Sequence, residues 1–158
     1  MATSDQQSAN CVFCAIVSGG APATYLHQDD LVIAFMDIRP VQPGHLLVVP
    51  RKHAELIPEL DEASLSRLWA VATDLNRALR RTSLPVEAVS VYVADGEAAG
   101  QEVPHVHIHL IPRHARDGFG FRFPPGYGFQ PERAELERLA RGIRPDGPST
   151  NVPGAGVD

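Results

Sequence analysis

Basic charge is scarce in this chain: 14 Lys and Arg stand against 19 Asp and Glu over 158 residues, a formal net charge of -5. That balance excludes a surface built to coat long DNA or RNA, which needs clustered cations, while leaving room for a local anion pocket. Long hydrophobic runs are missing too. No stretch approaches the ~20 apolar residues of a membrane span, and Met1 to Asn10 has neither the basic start nor the apolar run of a secretory signal. The expectation is a soluble, cytoplasmic protein that takes a small ligand and neither long nucleic acid nor membrane. Cysteine is limited to Cys11 and Cys14, too few for a disulfide scaffold. At C-x-x-C spacing in a reducing compartment, the two suggest half of a metal site or a redox pair.

With 44% hydrophobic residues the chain can bury one real core and is too short for two ordinary domains. We expect a single domain over residues 11–144, between a disordered start (1–10) and a disordered Pro, Gly and Ser-rich tail (145–158). Cys11 to Gly20 has apolar residues at helical spacing before a Gly-Gly stop, which predicts a short helix or turn carrying both thiols. Tyr25 to Gln28 and Leu31 to Asp37, split by Asp29-Asp30, predict two antiparallel strands. Pro40-Val41-Gln42-Pro43-Gly44 is a rigid turn that delivers His45 to the mouth of the strand Leu46 to Pro50, with His53 just beyond. Leu60 to Thr82 carries Leu65, Leu68, Trp69, Ala72, Leu75 and Leu79 at helical spacing, a stripe read mainly as core. Glu87 to Ala94 alternates as a strand, and Glu132 to Ile143 can form a short helix. Between them, Phe119 to Phe129 is a Gly, Pro and aromatic-rich loop, read as a lid or as a packed loop.

One stretch organises the rest: Pro104-His105-Val106-His107-Ile108-His109-Leu110-Ile111-Pro112. Imidazole alternates with aliphatic side chain, and only a strand has period two, so three imidazoles share one face and Val106, Ile108 and Leu110 the other. Same-face neighbours on a strand lie about 6.5 to 7 Å apart. Such a row can grip, attack or protonate one small anionic group. A buried strand with merely hydrogen-bonded imidazoles is the bland alternative, and it needs three separate partners for three polar rings.

Two thiols supply half of a tetrahedral zinc site, and two neutral imidazoles would complete a neutral centre that tolerates burial. His53 and His105 can play that part, leaving His107 and His109 free. A metal site using the whole histidine row is the rival chemistry. For the free pair, neutral imidazole can attack phosphorus and its protonated form can supply a leaving group. His107 is central; a backbone carbonyl on its other ring N–H would fix and activate the attacking nitrogen. His109 and His45 would bind or protonate phosphate oxygens. The Asp95 to Gln101 loop, through Gly100 and Gln101, can add neutral donors.

At these residues the chain resembles the histidine triad superfamily of nucleotide hydrolases and transferases. His105-Val106-His107-Ile108-His109-Leu110-Ile111 fits its H-φ-H-φ-H-φ-φ signature, where φ is apolar, and Asp37 to Pro50 resembles the family's other strand and turn. The likeness covers roughly residues 11–115. It implies an α+β fold with an antiparallel sheet of about five strands, one long helix and one or two short ones, usually paired with its twin as a homodimer. It implies a nucleoside monophosphate unit, adenine-bearing by analogy, whose α-phosphate is attacked by His107 and contacted by His109 and His45. Asp37 falls where the family binds ribose hydroxyls. Cys11, Cys14, His53 and His105 fall where zinc-bearing members hold structural zinc; Mg2+ on a polyphosphate substrate is a second candidate ion. The Asp95 to Gln101 loop is similar to the dinucleoside polyphosphate branch. Glu102 departs from the Ser or Thr common in other branches, and Asp95 from Asn.

The expected function is cleavage at the α-phosphate of a dinucleoside polyphosphate or nucleoside phosphoramidate through a nucleotidyl-His107, with release of a nucleoside monophosphate to water. Transfer to phosphate, a nucleotide-sensing module with incidental activity, and a metal-dependent hydrolase are the alternatives.

Overall fold

A computed structural model describes residues 10–143 of the chain; the expected disordered segments at 1–10 and 145–158 lie outside that range except for Asn10. Two compact units divide at Phe119 and Gly120, where the sequence predicts one domain.

In the first unit, helix α1 (Val12–Val17) follows Cys11 and buries Phe13 and Ile16, three positions apart on one face. It stops at Ser18, and Gly19 turns the chain away with φ +78°. Strands β1 (Tyr25–Gln28), β2 (Val32–Met36), β3 (Leu46–Pro50), β4 (Ala88–Tyr92) and β5 (Ile108–Arg113) form one antiparallel sheet in the order β1-β2-β3-β5-β4. Helix α2 (Glu62–Leu79) is capped by Asp61, whose side chain accepts from the Ser64 N–H. The Asp29-Asp30 turn holds through Asp29, which accepts from the N–H groups of Leu31 and Val32 at 2.9 Å each.

Strands β2 and β3 read as unbroken apolar runs because both of their faces are covered. On one face, Val32, Ala34, Leu46, Val48, Ile108 and Leu110 pack against Leu68, Val71, Ala72 and Leu79 of α2. On the other, Ile33, Phe35, Leu47 and Val49 pack against Cys11, Phe13 and Ile16. Each fully buried aliphatic side chain contributes about 1.5–3 kcal/mol relative to exposure, so the doubly covered centre of the sheet is the rigid part of the molecule. Trp69 leaves the expected stripe: it is 46% exposed on α2, while Leu68 beside it is completely buried.

The second unit, from Gly120, contains a turn in which Phe123 stacks on Tyr127 with ring centroids 3.9 Å apart. Helix α3 (Arg133–Ile143) follows, with Arg133–Glu137 and Arg138–Glu135 ion pairs one turn apart.

Candidate active site

The histidine row keeps its period-two alternation, although only His109 lies in β5. Register places Leu47 of β3 opposite His109 and Val48 opposite Ile108, where the β3 ladder ends. Upstream, His105 to His107 lie outside the ladder, with a bend at His105. The Val106 N–H donates to Ala54 O at 2.7 Å, and His105 Nε2 donates to Pro50 O at 2.9 Å. Val106, Ile108 and Leu110 are buried beneath α2's side of the sheet, and the imidazoles emerge on the α1 side.

His107 is the best-defined ring in the row. Its Nδ1 lies 2.7 Å from the carbonyl oxygen of His105, an acceptor only, so Nδ1 carries the hydrogen and Nε2 the lone pair. Phe13 packs its edge against this ring at 5.1 Å, and His107 is 4% exposed. Burial pulls its pKa down, opposed by the carbonyl hydrogen bond and by the carboxylates of Asp37 and Glu102, so the ring is neutral near pH 7.

The second chain of contacts runs through His45. Gly44, at φ +90°, turns the backbone so that His45 enters β3 on the face of Leu47 and Val49; a Cβ on Gly44 would meet Leu84 at 2.7 Å and Pro112 at 3.0 Å. The loop is closed by the Asp37 N–H donating to His45 O at 3.1 Å. The Val41 N–H, which can only donate, lies 3.2 Å from His45 Nδ1. That nitrogen therefore accepts, and His45 Nε2–H donates to His109 Nδ1 at 3.0 Å. His109 in turn presents its Nε2–H, and Tyr92 stacks on it at 4.4 Å, 11° from parallel. Burial, with His107 and His45 nearby, brings His109 down to about 4. His45 is lowered chiefly by burial, against the pull of Asp37, whose Oδ2 is 3.4 Å from Nδ1.

His45, His107, His109, Asp37 and Tyr92 line one cavity of about 620 Å3. One end is apolar: Val12, Phe13 and Ile16 of α1, Ala21, Phe35 and Leu47. The other is charged, with Asp37, Arg39 and Glu102; Arg39 Nη2 donates to Glu102 Oε2 at 2.7 Å. Gly100 lines the cavity at φ +88°. Gln101 is placed differently from the sequence expectation. Its Oε1 accepts from Gly96 N at 2.8 Å and its Nε2 donates to Glu55 O at 2.8 Å, so its carboxamide holds the Gly96 to Gly100 turn and does not line the cavity. Tyr92, Phe13 and Arg39 are cavity residues that sequence reasoning passed over. Tyr92 becomes visible only through the β4–β5 register, which sets it opposite His109.

Cys11, Cys14, His53 and His105 converge behind the row, with donor atoms within 4.8 Å of one another. Cys11 Sγ is 3.4 Å from His105 Nδ1, and Cys14 Sγ is 3.3 Å from His53 Nδ1 and 3.6 Å from His105 Nδ1. A tetrahedral zinc with Zn–S of about 2.3 Å and Zn–N of about 2.0–2.1 Å has S···N edges of roughly 3.5 Å. The four donors therefore fit zinc as they stand. The donation of His105 Nε2–H to Pro50 O leaves Nδ1 as a lone-pair donor facing the thiols. His53 Nε2 is buried and has no hydrogen-bond partner among the described residues, while its Nδ1 faces Cys14 Sγ. Burial and the adjacent Cys11 push the Cys14 thiol up to about 11, so a cation is needed to hold Cys14 as a thiolate near neutrality.

A five-stranded antiparallel sheet presenting a histidine row to a cavity, with a Cys2His2 cluster behind it, defines the class of the protein. The HIT domain model matches residues 18–116. The chain belongs to the HIT, or histidine triad, family. It is similar to an uncharacterized HIT-like protein of Borreliella burgdorferi, 40% identical over 114 residues, covering 72% of this chain and 82% of that one. It is also similar to the adenosine 5'-monophosphoramidase of Schizosaccharomyces pombe, 35% identical over 85% of this chain and 96% of the relative. Among solved structures, a Zn-bound histidine triad family protein from Mycobacterium smegmatis superposes with a TM-score of 0.67 at 37% identity, covering 85% of this chain and 93% of that one.

Proposed function

We propose that this protein is a nucleotide hydrolase that cleaves at an α-phosphate through a covalent nucleotidyl-His107, releasing a nucleoside monophosphate. The observation that carries this reading is the 2.7 Å hydrogen bond from His107 Nδ1 to the His105 carbonyl, which leaves an Nε2 lone pair on a cavity-lining ring. The kinship with a phosphoramidase supports the reaction class.

The nucleoside occupies the apolar end against Phe13, Ile16, Phe35 and Leu47, with Asp37 positioned for ribose hydroxyls. The α-phosphate lies between His107 and His109. His107 Nε2 attacks phosphorus, a P–N bond forms, and the bond to the leaving group breaks, that group departing with a proton drawn from solvent while the neutral His109 ring hydrogen-bonds the phosphate through Nε2–H. His45 Nε2–H, donating to His109 Nδ1, holds that ring in the correct tautomer. Gly100 lines the cavity, but its N–H donates to Glu97 O at 2.9 Å and is not the free donor expected from the sequence. Water then attacks phosphorus, giving up a proton to solvent, breaks the P–Nε2 bond and returns His107 to its starting state. Cys11, Cys14, His53 and His105 would hold a zinc, which would supply structural cross-linking and fix the residue whose carbonyl orients His107. The same reading has the protein in the cytoplasm as a homodimer.

Intact mass spectrometry after mixing with adenosine phosphoramidate or diadenosine polyphosphate tests the proposal. Wild type is expected to show a transient adduct of one AMP, absent from His107→Ala. AMP release at equal rates in both proteins, with no adduct, would overturn it.

A further inference from the structure

The charged end of the cavity carries two carboxylates, Asp37 and Glu102, and among its lining residues only Arg39 is a permanent cation. Burial lowers His45 and His109, so neither adds positive charge near neutrality. Formal charge there is therefore negative, and Arg39 is already spoken for by Glu102 at 2.7 Å. Both members of that pair are open to solvent, at 79% and 75% exposure, so it exchanges partners readily. Such a site opposes a chain of phosphates and favours a substrate with one phosphate anion and a positive group beyond it.

Resting on the hydrolase reading above, we infer that Glu102 is a specificity-determining residue that selects leaving groups bearing a positive charge, so that the preferred substrates are nucleoside phosphoramidates of cationic amines. The incoming ammonium replaces Arg39 on the Glu102 carboxylate. The freed guanidinium turns to the phosphate, whose oxygens it is suited to grip. The P–N bond of the substrate breaks, the amine leaves with a proton drawn from solvent, and nothing is oxidised or reduced. With a polyphosphate, Arg39 can be drawn away equally well, but Glu102 is left facing phosphate charge.

The test compares two adenosine phosphoramidates of equal length, one leaving an alkylamine and the other the same alkylamine with a terminal ammonium, alongside a dinucleoside triphosphate with and without Mg2+. The readout is the ratio of kcat/KM values. Wild type is expected to favour the ammonium substrate about three- to fivefold at low ionic strength, the range an exposed charge pair supports, with the ratio shrinking as salt is added. Glu102→Gln should bring the ratio to about one and improve relative turnover of the triphosphate. Arg39→Gln, which leaves Glu102 unpaired, should keep or raise the ratio. If the pair merely held two loops together, the two variants would move the ratio the same way. A wild-type ratio of one, or a preference that survives Glu102→Gln, overturns the inference and leaves the hydrolase reading standing. Failure of wild type to release AMP from any of the three substrates overturns that reading, and this inference with it.

Discussion

The main-chain carbonyl of His105 accepts the Nδ1 hydrogen of His107 at 2.7 Å, while the side chain of the same His105 points its own Nδ1 at Cys11 Sγ, 3.4 Å away. One residue thus belongs to the Cys2His2 cluster through its ring and to the histidine-lined cavity through its backbone. The order of the two sites is linked by two covalent steps of chain.

Metal removal is the first consequence. Purified protein is expected to hold one zinc per chain, and a strong chelator should lower the Tm and abolish activity slowly, at the rate at which the cluster opens. Because Cys14 is held protonated up to about 11 without a cation, zinc binding must expel thiol protons. Calorimetry in buffers of differing ionisation heat should show that release near pH 7. Immediate inhibition with an unchanged Tm would instead point to a metal acting in the reaction.

His45 and His109 act as one unit through their 3.0 Å contact. Replacing His109 with Gln should reduce kcat by about 10²–10³-fold, as expected for loss of a positioned hydrogen-bond donor to the phosphate. His45→Gln should cost less, and the double variant should be scarcely worse than His109→Gln alone. Multiplicative losses in steady-state kinetics would show that the two rings act independently.

Acid should destabilise the fold below pH 6.5. An unfolded histidine takes up a proton around 6.5, whereas His109 in the fold resists until about 4. Between those values the unfolded chain binds more protons, so stability is full above 6.5 and falls as pH drops toward 4. His45 and His107, also lowered by burial, act with the same sign. Denaturant midpoints between pH 7.5 and 4.5 should decline, and His109→Gln should flatten the slope by at most about 1 kcal/mol per pH unit, since the ring is partly solvated.

Gly44→Ala tests the turn that places His45. An L residue at φ +90° is strained, and the new Cβ would sit 2.7 Å from Leu84 Cδ1. A loss of at least about 2 kcal/mol in chemical denaturation is expected, together with reduced activity from a displaced His45. An unchanged midpoint would mean that Leu84 and Pro112 yield freely.

Much of this was legible in the chain before any coordinates. Alternation from His105 to Leu110 announces two chemically different faces, and the apolar runs of β2 and β3 announce strands covered on both sides, because side-chain period and burial act locally. Trp69 was misjudged because helical spacing defines a stripe without fixing its edges; α2 centres its buried face on Leu68, Val71 and Ala72, and Trp69 falls at the margin. Tyr92 and Phe13 join the site through strand register and helix docking, and Arg39 through a loop contact. Spacing along the sequence cannot encode any of the three. Gln101 had the right chemistry for an anion, yet the nearby Gly96 N–H and Glu55 carbonyl satisfy its amide first.

Helix α1 is six residues long, and it borders two compartments. Cys14 and the preceding Cys11 face the metal cluster, while Val12, Phe13 and Ile16 form a wall of the cavity. Whatever steadies one flank of so short a rod steadies the other, and thermodynamic reciprocity makes the influence mutual. A nucleotide pressed against Phe13 and Ile16 should slow the escape of zinc, so isotope exchange of the ion becomes a gauge of cavity occupancy that needs no turnover at all.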